Sequence, residues 1–249
     1  MIIKRMTVLL TLFFLLEGCS AKTPLGPPKP QFDAAEFNFG RIPEGVIVTH
    51  IYDLTNEGGD SLVITELRPH CGCTKAPLAT SVVGAGKTVP IELRFNSRGY
   101  HGKARKSASI RLDADGKIIS DQLFFSAYID TSAETFSDGQ IAVSEPVITF
   151  ADSVERVELQ LSNRMAASRE LSIVDYQPDR IELSWKKKLL GPKESATLEI
   201  TRKIPANELY ASITMEMKGY DNSRITIPLG GVNRKVERIR SVRKIAPRK

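Results

Sequence analysis

The chain has 249 residues, 41% of them hydrophobic, with a formal net charge of +6 and only three cysteines. A positive balance invites a nucleic-acid reading, but the charge sits at the ends: from Asn233 onward eight Lys or Arg face Glu237 alone, and Lys4 and Arg5 precede the first apolar run. The middle of the chain is left slightly acidic, so the net positive charge belongs to the ends and does not point to nucleic acid.

Residues 1–18 read as an export signal. Lys4 and Arg5 make a positive start and Met6 to Leu16 an apolar run, shorter than the roughly 20 residues that span a bilayer. Leu16-Glu17-Gly18-Cys19 resembles the bacterial lipoprotein processing box, although Glu17 departs from the small or aliphatic residue usual there. That resemblance implies cleavage before Cys19, lipid on its sulfur, and a mature chain anchored to a membrane and facing the periplasm or exterior. Consuming Cys19 leaves two thiols, an even number suited to an oxidising compartment. Ordinary signal cleavage that discards or strands Cys19 is the alternative.

Residues 19–31 follow as a Pro-rich tether without apolar period, an extended spacer of roughly 3 Å per residue. Strict alternation then begins. Val46, Val48, His50, Tyr52 and Leu54 share one face, as do Val89, Ile91, Leu93 and Phe95, and again Leu123, Phe125, Ala127 and Ile129. Such stretches are half-buried strands, and Asp113 to Gly116 is a hairpin turn. No stretch sustains a helical period. Short strands at this spacing predict an all-β chain whose residues 32–131 form an immunoglobulin-like antiparallel sandwich.

Residues 139–233 repeat the pattern. "LTNEGGDSLVITEL" from Leu54 lines up with "LSNRMAASRELSIVDY" from Leu161, and "GAGKTVPIELRF" from Gly84 with "LGPKESATLEITR" from Leu190. Two tandem sandwiches are therefore expected, joined near Thr131 to Gly139. Residues 234–249 form a basic tail, either solvated or drawn to anionic lipid or envelope phosphate in a salt-dependent way. Where the first copy carries "PHCGCTK", the second carries "QPDRIELSW". A sandwich can therefore be built without the cysteines, which gives them a local role.

"FNFGRIPEGVIVTHIYDLTNEGGDSLVITELRPHCGCT" resembles a secreted bacterial domain-of-unknown-function family with F-x-F-G, N-x-G and C-G-C-T motifs, similar to ASH and Hydin-type immunoglobulin-like modules. The resemblance covers Phe37 to about Ile129 and implies a fold and an envelope location, without an activity. His70 stands where the family commonly has serine.

Three chemistries fit Cys71 and Cys73. A disulfide between residues i and i+2 is sterically allowed but saves little unfolded-state entropy, and a small strained ring is easily reduced. Exchanging thiols would need a cation such as His70 or Lys75 to lower one pKa. Metal binding would suit copper(I) or zinc(II), but two thiolates are too few for zinc. If a short strand lies within "PLATSVV", the Cys loop and "SRGYHGK" share a pole, and His70, Cys71, Cys73 and His101 would form the ligand set. His50 faces inward and reads as a core histidine.

"SVVGAGKT" is a turn, since Ser81 stands where a phosphate loop has its first glycine and a strand follows. No nucleophile elbow or zinc-protease motif occurs, and no acid and base are paired by spacing. The expected function is a non-enzymatic, envelope-tethered binding or scaffolding lipoprotein with a protein partner, no nucleic acid and no cofactor. The alternative is a thiol-redox or copper or zinc protein acting through Cys71 and Cys73.

Overall fold

The structure, a computed structural model, describes residues 26–131, 140–220 and 223–231. The expected export signal, Cys19 as the expected lipid attachment point, most of the segment joining the two halves, and the basic tail lie outside the described residues. In the first half the strands are β1 (Pro30–Phe32), β2 (Glu36–Pro43), β3 (Ile47–Asn56), β4 (Leu62–Pro69), β5 (Thr74–Lys75), β6 (Val82–Val83), β7 (Thr88–Asn96), β8 (Gly102–Ala114) and β9 (Lys117–Asp130). In the second they are β10 (Ile141–Val143), β11 (Ile148–Phe150), β12 (Arg156–Asn163), β13 (Arg169–Asp175), β14 (Ile181–Trp185), β15 (Leu189–Leu190), β16 (Ser195–Arg202), β17 (Tyr210–Met217) and β18 (Ile225–Gly231). The protein is all-β, with one 3-10 turn at Ala206–Glu208 among the described residues. No helix there is long and apolar enough to cross a membrane.

The alternating residues do what their period requires. Val48, Tyr52 and Leu54 of β3, Ile91, Leu93 and Phe95 of β7, and Leu123, Phe125 and Ile129 of β9 are all buried in one cluster. Asp115 and Gly116, with φ of 56° and 80°, make the two-residue turn of the β8–β9 hairpin, a geometry that matches strand twist. Asp113 Oδ1 accepts the Gly116 N–H at 2.7 Å and closes it.

The repeat is exact in register. His50 faces Leu93 and Leu54 faces Val89 in the first half; Val157 faces Ile200 and Leu161 faces Ala196 in the second. Each β3-type strand ends in a buried asparagine that ties two loops. Asn56 Nδ2 donates to the carbonyls of Asp60 and Val83, and Asn163 Nδ2 to those of Ala167 and Leu190. Two separate apolar cores result, the second built around Phe150, Leu159, Leu198, Ile213 and Ile227.

Two four-stranded sheets, β1-β3-β7-β5 and β10-β12-β16-β14, each face part of one ten-stranded sheet ordered β15-β13-β17-β18-β2-β9-β8-β4-β6, with β11 paired to β18. This differs from purely antiparallel sandwiches in series. β2 runs parallel to β9, β11 runs parallel to β18, and Ile225 of β18 pairs with Arg41 of β2, so one sheet crosses both halves. Gly40 makes the crossing possible: its φ is +67°, and a Cβ there would lie 2.1 Å from the Arg224 carbonyl oxygen.

The Pro-rich spacer also ends earlier than its composition suggests. Pro30 and Gln31 belong to β1, opposite Asn56 and Thr55, and the Lys29 N–H donates to Asn56 Oδ1 at 3.0 Å. Proline is tolerated because β1 is an edge strand, where a missing donor costs little.

Candidate functional site

The Cys71-Gly72-Cys73 turn stands where the chain leaves the shared sheet, at Pro69 of β4, and enters the four-stranded sheet at Thr74 of β5. Cys71 and Cys73 are joined as a disulfide with their Cα atoms 5.2 Å apart. The Thr74 hydroxyl lies 3.3 Å from Cys71 Sγ and 3.8 Å from Cys73 Sγ. The Cys71 carbonyl accepts the Thr74 N–H, and the Cys73 carbonyl accepts the Asn96 N–H at 2.8 Å. Cys73 packs against the first core. The bridge therefore clamps a corner between sheets.

With both sulfurs in the bridge, neither is the thiolate that ligates a metal or attacks another disulfide. The exposed His70 ring turns to β8 instead: its Nδ1 is 2.9 Å from Ser107 Oγ, and the His70 backbone N–H donates to the Ser107 carbonyl. The short strand within "PLATSVV" is present as β6, and the Asn96 contact puts the two loops beside one another. His101 is nevertheless carried away: it precedes Gly102, and Ser107 lies five steps along β8 from Gly102, roughly 17 Å of strand. His70, Cys71, Cys73 and His101 do not come together as a ligand set, and no group of three or more His, Cys, Asp or Glu able to hold a metal forms among the described residues.

The repeat places Pro178 and Arg180 where the first half has Cys71 and Cys73, and the backbone bond is kept: the Lys203 N–H donates to the Arg180 carbonyl as Asn96 does to Cys73. This second corner is braced differently. It docks on the first half. Arg180 Nη1 and Nη2 each lie 2.8 Å from a Glu92 oxygen, and Arg94 Nε holds Glu92 Oε1 at 2.6 Å. Gln177 Oε1 accepts the Ser212 N–H at 2.8 Å, while the Ser212 hydroxyl accepts the Thr49 N–H at 2.9 Å. Beyond β1, which covers only Leu54 to Asn56, the edge of β3 would expose such donors. The second half caps it.

His50 completes this seam. It stacks on Phe37 with ring centroids 3.6 Å apart, and its Nδ1 lies 2.9 Å from Asp175 Oδ2. Burial alone would raise the Glu92 carboxyl, but hydrogen bonds from Arg180 and Arg94 outweigh it and hold Glu92 below the ordinary carboxylate value. The same pairing holds the Arg180 guanidinium above its ordinary value against the opposing effect of burial. Glu92, Asp175, Gln177 and Arg180 gave no signal in the sequence, because a polar residue at an outward strand position or in a turn reads as solvated. The one available hint was the replacement of the cysteine turn by Pro178-Asp179-Arg180 in the second copy.

Residues 30–126 match the model of the family described as "Protein of unknown function (DUF1573)". The resemblance carried by the F-x-F-G to C-G-C-T segment thus holds for the first half. No curated protein matches the chain. Among solved structures, a protein of unknown function from Porphyromonas gingivalis W83 is 12% identical with a TM-score of 0.38, covering 81% of this chain and 99% of its own. The ASH/PapD-like domain 7 of human CEP192 is 7% identical with a TM-score of 0.35, covering 42% of this chain and 87% of its own. The CupB2 chaperone of Pseudomonas aeruginosa is 11% identical with a TM-score of 0.33, covering 80% and 99%.

Proposed function

We propose that the chain is a binding or scaffolding module of the cell envelope rather than an enzyme, tethered through lipid on Cys19, and that it takes a protein segment as an added strand along β14. One observation carries this reading. β14 pairs with β16 alone, and at five residues it is longer than the other outermost strands, β1, β5, β6, β10 and β15, of two or three residues each. Short edges are blunted against pairing, whereas an open five-residue edge is a template for it.

The register identifies the free groups. Arg180 and Lys203 form a hydrogen-bonded pair, so Glu182 and Ser184, two and four residues on, bond to β16. Alternation in an antiparallel ladder turns the N–H and C=O of Leu183 and Trp185 outward. Leu183→Pro removes one outward donor and leaves the β16 ladder intact, since edge strands accept proline on the solvent side. Leu183→Ala keeps the donor and serves as control.

The expected result is capture of an envelope protein by the full chain and by Leu183→Ala but not by Leu183→Pro, with slowed amide exchange at Leu183 and Trp185 in the complex. Equal capture by all three, or unchanged exchange at those amides, would overturn the reading.

A further inference from the structure

The geometry points to a second binding site, on the outer face of the shared sheet, for a phosphate-bearing ligand. A cleft of about 580 Å³ is lined there by Arg41, Lys103, Arg105, Ser126, Tyr128 and Arg224, with neutral residues between them and no carboxylate in the lining. Strand register creates it. Lys103 of β8 lies opposite Tyr128 of β9, which lies opposite Arg41 of β2; one row along, Arg105 lies opposite Ser126, which lies opposite Asn38. Arg224 closes the second row, its Nη1 donating to the Asn38 carbonyl at 3.2 Å. Each row sets a hydroxyl between two cations.

The cations are held in place from outside the cleft. Asp130 holds Arg41 at 2.9 Å, Glu36 holds Arg105 at 2.9 Å, and Glu216 holds Arg224 at 2.7 Å. Arg41 is re-aimed by the bulge between Asn38 and Arg41, so that its guanidinium stands 4.6 Å above the Tyr128 ring. Lys103 is exposed and, among the described residues, has no carboxylate partner. Neighbouring strands lie about 4.8 Å apart and same-face residues along a strand about 6.6 Å. The four basic residues therefore stand in two adjacent rows along one cleft, within reach of a ligand that carries one or two phosphate groups. A phosphoester offers three strong acceptor oxygens and up to two charges, which donors from three strands satisfy better than the two oxygens of a carboxylate would allow. This surface is separate from the β14 edge.

The test uses the full chain, so that the basic tail is present in every variant, with calorimetric titration of pyrophosphate. Lys103→Glu is expected to weaken binding at least about tenfold, the loss of one charge-assisted contact, with an unchanged unfolding midpoint. Lys117→Glu, an equal charge change at the exposed tip of the β8–β9 hairpin, is expected to leave binding unchanged. Cosedimentation with phosphatidylglycerol vesicles separates the sources. Lys103-dependent vesicle binding identifies a lipid headgroup, and pyrophosphate binding without it identifies a soluble phosphoester. Equal weakening by both variants assigns the binding to general charge and overturns the site, as does no effect of Lys103→Glu. Lys103-dependent binding of a glutamate-rich peptide without pyrophosphate binding overturns the phosphate class.

Discussion

Arg180 of the second half spans the seam to Glu92 of the first, Nη1 on Oε1 and Nη2 on Oε2, both at 2.8 Å. The two side chains are largely buried, 14% and 11% exposed, so the pair acts where water screens little. Removing one partner leaves the other charged in that setting.

Arg180→Met is therefore expected to destabilise the protein by about 3 kcal/mol, at the lower end for a broken buried pair because Arg94 remains beside Glu92. The double variant Arg180→Met with Glu92→Met should recover much of the loss. Denaturant unfolding measures both; a loss under about 0.5 kcal/mol in the single variant would class the pair with surface ion pairs instead.

Acid should loosen the same seam. Glu92 is held below its ordinary value of 4.5 in the folded state. A carboxyl depressed on folding contributes stability above its unfolded value, and that contribution is lost as pH falls through the folded one. The unfolding midpoint should accordingly drop below about pH 4.5, and Glu92→Gln should show a shallower drop over that interval from a lower starting stability. Identical pH profiles would show that other groups set the acid limit.

Asn56 and Asn163 should be equivalent despite lying in different halves. Each is fully buried and bonds two loops through Nδ2. Replacing either with alanine orphans several buried backbone groups, an expected cost of about 3 kcal/mol each. Unfolding midpoints of the two single variants would measure it, and a loss confined to one of them would break the correspondence of the repeat.

Loss of the Cys71–Cys73 bridge should cost little stability. For so short a loop the chain-entropy contribution is about 1.5 kcal/mol, and the corner keeps its bond from Asn96 to the Cys73 carbonyl. Cys71→Ser with Cys73→Ser is expected to fold with a slightly lower midpoint. Alkylation of the unfolded wild-type chain, starting at Phe32 and made in an oxidising compartment, should add no label before reduction and two after it. Two labels without reductant would mean free thiols and reopen metal binding at this corner.

Strand positions, buried faces, the β8–β9 hairpin and the duplication were legible in the amino-acid order, because period-two burial and turn conformation are local and each strand declares its own inward face. The corner that holds Cys71 and Cys73 was legible for the same reason, from one copy set against the other. Which sheet each strand joins was not, since parallel pairing of β2 with β9 and the contact of Ile225 with Arg41 join residues far apart in sequence. Nor was the seam. Glu92, in β7, and Arg180, in the turn before β14, are ordinary polar residues locally and become a buried pair only when two halves meet, while His101 reads as a neighbour of His70 until the length of β8 carries it off. Local alternation determined the elements; long-range docking, which has no short-range periodicity, decided which polar groups face each other.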